Sequence, residues 1–215
     1  RLDSPGFKEK FSSEIKKFAE LTSHKSRGFR APTFSLSNTS SWAIDVLEKN
    51  NYIYDSSVVP AKTSMYGLPN AEHKPYKITS KSIEKNDSSG KLIEFPLLVT
   101  TFLGKKIPAA GGFYLRTLPT KIIKNALKNY QNKNMPGSFY IHSWELTPEF
   151  MPKLDLPFKD KFVTYHNLGK AYSRMDKLLK NEYVSSVIIL TAVVFANETA
   201  KPSKDVQELL QHNWT

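Results

Sequence analysis

Residues 26–57 read SRGFRAPTFSLSNTSSWAIDVLEKNNYIYDSS, and this stretch decides the fold. "SRGFR" is a short strand that runs into a proline-bearing loop at Pro32. Trp42, Ile44, Val46 and Leu47 then supply the apolar positions of a helix over about 39–50, which Asn50 and Asn51 close. "YIYDSS" brings the chain back as a second strand ending in Asp55. Strand, helix and strand in this order, repeated, mark an α/β fold with parallel strands.

Upstream, Phe7, Phe11, Ile15, Phe18 and Leu21 recur at helical spacing, with Lys8, Glu9, Lys10, Glu14, Lys16 and Lys17 on the opposite side. Ser4 before Pro5 has the form of an N-cap with proline at the first helical position. Downstream, residues 61–106 read as a polar, lysine-rich, loop-rich insertion punctuated by Gly67, Pro69 and Pro75, with short hairpin strands at "YKIT" and "LIEFPL". A helix follows over about 119–131, then "GSFYIHSWEL" as a strand ending near His142, and a basic helix over about 168–181. Val187 to Ala196, "VIILTAVVFA", reads as a buried terminal strand. It is half the length that a bilayer crossing needs, about 20 apolar residues. A short helix at Val206–Leu210 ends the chain.

Composition narrows the function classes. The 215 residues include no cysteine, which excludes disulfide frameworks, thiol nucleophiles and thiolate zinc sites. Lys and Arg number 31 against 20 Asp and Glu, a net charge of +11 that favours anionic partners. The lysines are dispersed, with no helix-turn-helix, RNP or zinc-finger spacing, so no nucleic-acid partner is expected. The chain carries no signal-peptide pattern, and its compartment is left open.

Three residues stand at the ends of expected strands, where α/β sheets gather their ligands. Arg30 in "GFRAPTFS" can meet an anionic group, or be an ordinary arginine in a turn. Asp55 in "YDSS" can be a functional carboxylate, an N-cap or an Asx turn. His142 in "FYIHSWE", flanked by Trp144 and Glu145, can be a general acid or base, or a structural histidine. Spacing alone takes this no further than a hydrolase.

The motifs "GFRAPTFSL", "WAIDVLEKNNYIYDSSVVP", "YGLPNA", "LIEFPL", "AAGGFYLRTLP" and "GSFYIHSWEL", in this order, resemble the polysaccharide deacetylase (NodB homology) family, in its subgroup associated with exopolysaccharide loci. "FVTYHNLGKAYSRMDKLL" resembles that subgroup's C-terminal extension. The resemblance implies a deformed (β/α) barrel, present here without its N-terminal strands. Residues 1–165 would be the C-terminal part of the catalytic domain and 166–215 the extension, with the basic helix and a terminal strand. It further implies hydrolytic removal of acetyl groups from an acetylated polysaccharide or oligosaccharide. In the family a divalent metal, usually zinc, polarises the acetyl carbonyl and activates water. Carried over by motif, Arg30 matches the arginine that orients the catalytic base, Asp55 the carboxylate that tunes the catalytic histidine, and His142 that histidine, the general acid. Tyr66, Phe113, Tyr114 and Trp144 offer flat faces to sugar rings, although packing inside the fold is the commoner use of such residues.

The same resemblance exposes a departure. The family's Thr-Phe-Asp-Asp and His-x-x-x-His motifs have no counterpart in this sequence. The metal ligands and the base are therefore expected to come from a missing N-terminal segment or a partner chain. This chain alone is expected to bind metal poorly and to be inactive. The alternative is a carbohydrate-binding protein that kept the groove without catalysis.

Overall fold

The computed structural model describes residues 1–180. The expected strand at Val187–Ala196 and helix at Val206–Leu210 lie outside the described residues. The architecture is mixed α/β, with a four-stranded and a two-stranded sheet. Among the described residues the strands form these two sheets and no closed barrel.

Strand β1 (Gly28–Phe29), helix α2 (Trp42–Lys49) and strand β2 (Tyr54–Asp55) form the expected unit, with β1 and β2 parallel. Strand β4 (Leu92–Glu94) extends this sheet on the other side of β2, and β3 (Tyr76–Ile78) pairs antiparallel with β4, giving the order β1-β2-β4-β3. The stretch 61–106 is thus more than an insertion, because its strand β4 is an inner strand of the main sheet. Registration places Phe29, Asp55 and Glu94 side by side at the ends of three parallel strands.

Helix α1 (Phe7–Thr22) packs on α2 through Phe11, whose ring meets Trp42 and Phe29 edge-on. Burying a side chain of this size stabilises the fold by roughly 1.5–3 kcal/mol. The stripe is used only in its first half, since Phe18 and Leu21 are exposed. Its N-cap is Gly6, in the left-handed region at φ 67°, rather than Ser4. Ser4 contributes through its backbone, its carbonyl accepting the Phe7 N–H at 3.1 Å.

A second core lies between the antiparallel hairpin β5–β6 (Val99–Phe102, Lys105–Pro108) and helix α4 (Thr120–Asn132), and contains Leu98, Val99, Ala126 and Tyr130. Helix α3 (Gly112–Thr117) joins β6 to α4. The expected strand "GSFYIHSWEL" is reduced to one parallel bridge, Leu97 with Ser138, followed by extended backbone and the short helix α5 (Ser143–Leu146). The reason is local. The Glu145 carboxylate accepts the His142 backbone N–H at 3.1 Å, so that donor is spent on a capping box instead of a ladder. Helix α6 (Phe158–Tyr165) precedes α7 (Ala171–Leu179), which realises the expected basic helix. Arg174 of α7 donates from one Nη to the carbonyls of Leu115, Arg116 and Leu118, closing the C-terminal end of α3. Among the described residues no helix is long and apolar enough to cross a membrane.

Candidate active site

Arg30 leaves β1 and is held at once. Its Nε donates to the Ser56 carbonyl at 2.7 Å, and its Nη2 to Ser56 Oγ at 2.7 Å and Ser138 Oγ at 3.2 Å. The following turn places Thr33 and Phe34 in the left-handed region, at φ 55° and 51°, a strained conformation for a β-branched residue. That turn folds the Phe34 ring back beneath the guanidinium, 5.7 Å from its centroid, while Tyr140 lies at 5.7 Å as a second face.

Beneath Arg30 the ends of β2 and β4 bury two carboxylates completely, Asp55 and Glu94. Asp55 accepts Ser57 Oγ at 2.7 Å, and Glu94 accepts the Val58 N–H at 3.0 Å and the Ser57 N–H at 3.4 Å. Asp55 Oδ2 has no N–H or side-chain hydroxyl within reach. Burial pushes both carboxyls up, and the Asp55 charge lifts Glu94 well above its ordinary value. A side-chain hydrogen bond joins the two carboxyls, and the Arg30 charge acts on both.

His142 stands at the start of α5 with its side chain 43% exposed. Its ring stacks on Trp144 at 5.4 Å and 28°, and meets Tyr140 edge-on at 5.4 Å. Nδ1 lies 3.2 Å from Glu145 Oε2, which leaves Nε2 on the far side of the ring. The carboxylate hydrogen-bonded to His142 is Glu145, and Asp55 is enclosed with Glu94 and Ser57. A capping box brings Glu145, three residues ahead, to the ring. Glu145 is in turn bound by Arg116, whose Nε reaches Oε1 at 2.9 Å and whose other nitrogens reach the His166 carbonyl at 2.6 Å and the Val163 carbonyl at 3.0 Å. Burial pushes the Glu145 carboxyl up, but hydrogen bonds from His142 and the Arg116 charge outweigh it and hold it below its ordinary value.

Of the expected sugar-facing residues, Tyr66, Tyr114 and Trp144 join this cluster. The hydroxyl of Tyr66 bonds to those of Tyr114 and Tyr140, and burial pushes Tyr114 and Tyr140 each up to about 12. Phe113 touches the cluster edge-on through Tyr114, at 5.5 Å between ring centroids, and also faces Phe162 of α6 at 6.4 Å. The sequence reading missed Tyr140, Arg116 and Glu94. Glu145 was legible only as a neighbour of His142, although its three-residue offset is a capping signal. Among the described residues no three His, Asp or Glu side chains converge to hold a metal ion. The donors present among these residues do not fit the divalent metal that the resemblance implies.

Gly112 opens α3 directly against the Glu145 carboxylate, which occupies the space a Cβ would fill. Gly112→Ala is expected to displace that carboxylate from Arg116 and His142 and to destabilise the fold by about 1–3 kcal/mol, read from urea unfolding. An unchanged midpoint would show that this contact is dispensable.

No curated protein and no solved structure matches the chain. One family model does, over residues 56–188, a span that includes Tyr66, Arg116, His142, Trp144 and Glu145 and leaves Arg30 and Asp55 just outside. Its description is "Domain of unknown function (DUF3473)". More than half of the chain lies within that match, and the protein belongs to the DUF3473 family.

Proposed function

We propose that this chain belongs to a polysaccharide deacetylase-like hydrolase, in which His142 is the general acid that protonates the amine leaving an N-acetylated sugar. The observation that supports this most is the His142 ring itself. It is partly open to solvent, fixed on one side by a buried carboxylate and laid against Trp144. Glu145 at Nδ1 favours the ring orientation in which Nε2 faces substrate. As the C–N bond breaks, the Nε2 proton passes to the departing nitrogen and the ring is left neutral. Trp144, Tyr66 and Tyr114 would receive the sugar rings. The main sheet would then form part of the deformed (β/α) barrel of such enzymes, with the chain from 166 onward as an extension.

This sequence contains neither an Asp-Asp pair nor a His-x-x-x-His motif. Catalysis by the 215-residue chain alone is therefore not expected, while binding is. Intrinsic tryptophan fluorescence should report binding of an N-acetylated glucosamine oligomer more tightly than of its de-N-acetylated counterpart. Trp144→Ala should weaken binding about tenfold, the equivalent of an aromatic contact of ~1.4 kcal/mol. Equal affinity for the two oligomers, unaffected by Trp144→Ala, would count against a sugar site here. The second reading, a binding protein without turnover, shares that groove and is favoured by the lack of a convergent metal-donor set among the described residues. Acetate release separates the two once a protein carrying the missing motifs is added: release that depends on His142 supports the hydrolase.

A further inference from the structure

The turn of the β5–β6 hairpin places a residue where the fold gains nothing from it. Phe102 pairs with Lys105, so the loop has two residues, Leu103 and Gly104, with φ of 49° and 74°. Positive φ at both positions is the pattern of a type I′ turn, for which Asn-Gly is the preferred sequence. Gly104 meets that demand without strain, and nothing lies within 4 Å of the place of its missing Cβ. Leucine in the left-handed region is strained, because its Cβ crowds the backbone carbonyl. Packing gives no compensation, since Leu103 is 86% exposed and its neighbour Phe102 is 42% exposed. A strained, exposed leucine beside an exposed phenylalanine points outward, to a function beyond the fold.

The surroundings of this tip are basic. Lys105 and Lys106 follow it directly, and both are exposed. Lys106 reaches back to donate to the Pro69 carbonyl at 3.2 Å, and together with Lys133 at the end of α4 it acts electrostatically on His73. Lys85 and the carboxylate of Glu72 face the same histidine, so the patch is predominantly, though not wholly, positive.

We propose that the β5–β6 hairpin is a membrane-docking finger. Phe102 and Leu103 enter the headgroup boundary of an anionic bilayer, while Lys105, Lys106 and Lys133 lie against its acidic headgroups. Apolar insertion and basic side chains together are what an interfacial anchor needs, and neither suffices alone. An acidic polysaccharide or an RNA would engage the lysines, but a hydrated polyanion has no use for a leucine at the tip. This inference is independent of the deacetylase reading.

The full chain is tested by co-sedimentation with vesicles of phosphatidylcholine alone and of phosphatidylcholine mixed with phosphatidylglycerol. Binding to the anionic vesicles, reduced by raised salt, and none to the neutral ones are expected. Leu103→Asn is the informative variant, since it relieves the turn. Its unfolding midpoint should be retained or raised while vesicle affinity falls at least about tenfold, a loss of about 1.4 kcal/mol. Lys105→Glu/Lys106→Glu should abolish binding without unfolding the protein. The proposal is overturned if wild type ignores anionic vesicles, or if Leu103→Asn binds them as wild type does. It is equally overturned if alginate or RNA binds wild type and Leu103→Asn alike while vesicles do not bind.

Discussion

Arg116→Met is expected to lose about 3–5 kcal/mol of stability, the largest effect of any substitution considered for this protein. Arg116 is 1% exposed, and its guanidinium is the charge that balances a buried Glu145. Methionine of similar length keeps much of the packing but removes the ion pair and both carbonyl contacts to Val163 and His166. Glu145 would keep its contacts with His142 but lose the guanidinium that balances its buried charge, the expensive way to break such a pair. Arg116→Met/Glu145→Gln should recover part of the loss, because the remaining amide needs no counter-charge. Urea unfolding of the three proteins checks this. A single variant within 1 kcal/mol of wild type, on the order of an exposed ion pair, would mean that the pair is screened by solvent.

Glu94→Gln is expected to change the pH dependence of stability more than stability itself. A carboxyl whose value is raised in the folded state binds its proton more tightly there than in the unfolded chain. Its contribution is complete below the unfolded value, near 4.5, and is lost as pH rises toward the folded value. Wild type should therefore weaken as pH rises above 4.5, by as much as about 1.4 kcal/mol per pH unit where one proton separates the two states. Asp55, raised as well, adds in the same direction. Glutamine keeps an acceptor for the Val58 N–H but cannot ionise, so the slope should flatten. Unfolding measured across acidic to mildly alkaline pH gives the result, and 13C NMR of the Glu94 carboxyl should show it titrating above the ordinary glutamate range. Parallel slopes for the two proteins would show that Glu94 is ionised.

The β1–α2–β2 unit was readable because its information is local. Apolar spacing over Trp42–Leu47, a proline after one strand and an Asp-Ser-Ser after the other leave little choice of conformation. Helices α1 and α7 were readable for the same reason. Partnership across the chain was not. Glu94 sits in "LIEFPL", which reads as a hairpin strand, and only β4's position between β2 and β3 brings it against Asp55. Arg116 lies in "FYLRT" with no acidic residue nearby in sequence, and its partner is 29 positions away. Asp55 was given to His142 by motif alone. The capping box that delivers Glu145 to the ring depends on where α5 begins, a boundary hidden by the strand-like composition of "FYIHSW". The contact of Phe113 with Phe162 was not legible either, since the facing of a six-residue helix is set by its neighbours and α6 had not been anticipated.

Arg174 and Arg116 give the C-terminal region a status its sequence conceals. One reaches from α7 to the carbonyls that end α3, the other from α3 to the carbonyls that end α6, and Asn167 returns a bond to the Arg116 carbonyl at 3.2 Å. All of these bonds but the one to Val163 cross the division at 165/166, and they cross it in both directions. Clipping away residues 166–180 is therefore expected to loosen α3, and with it Arg116 and the Glu145–His142 pair that it holds.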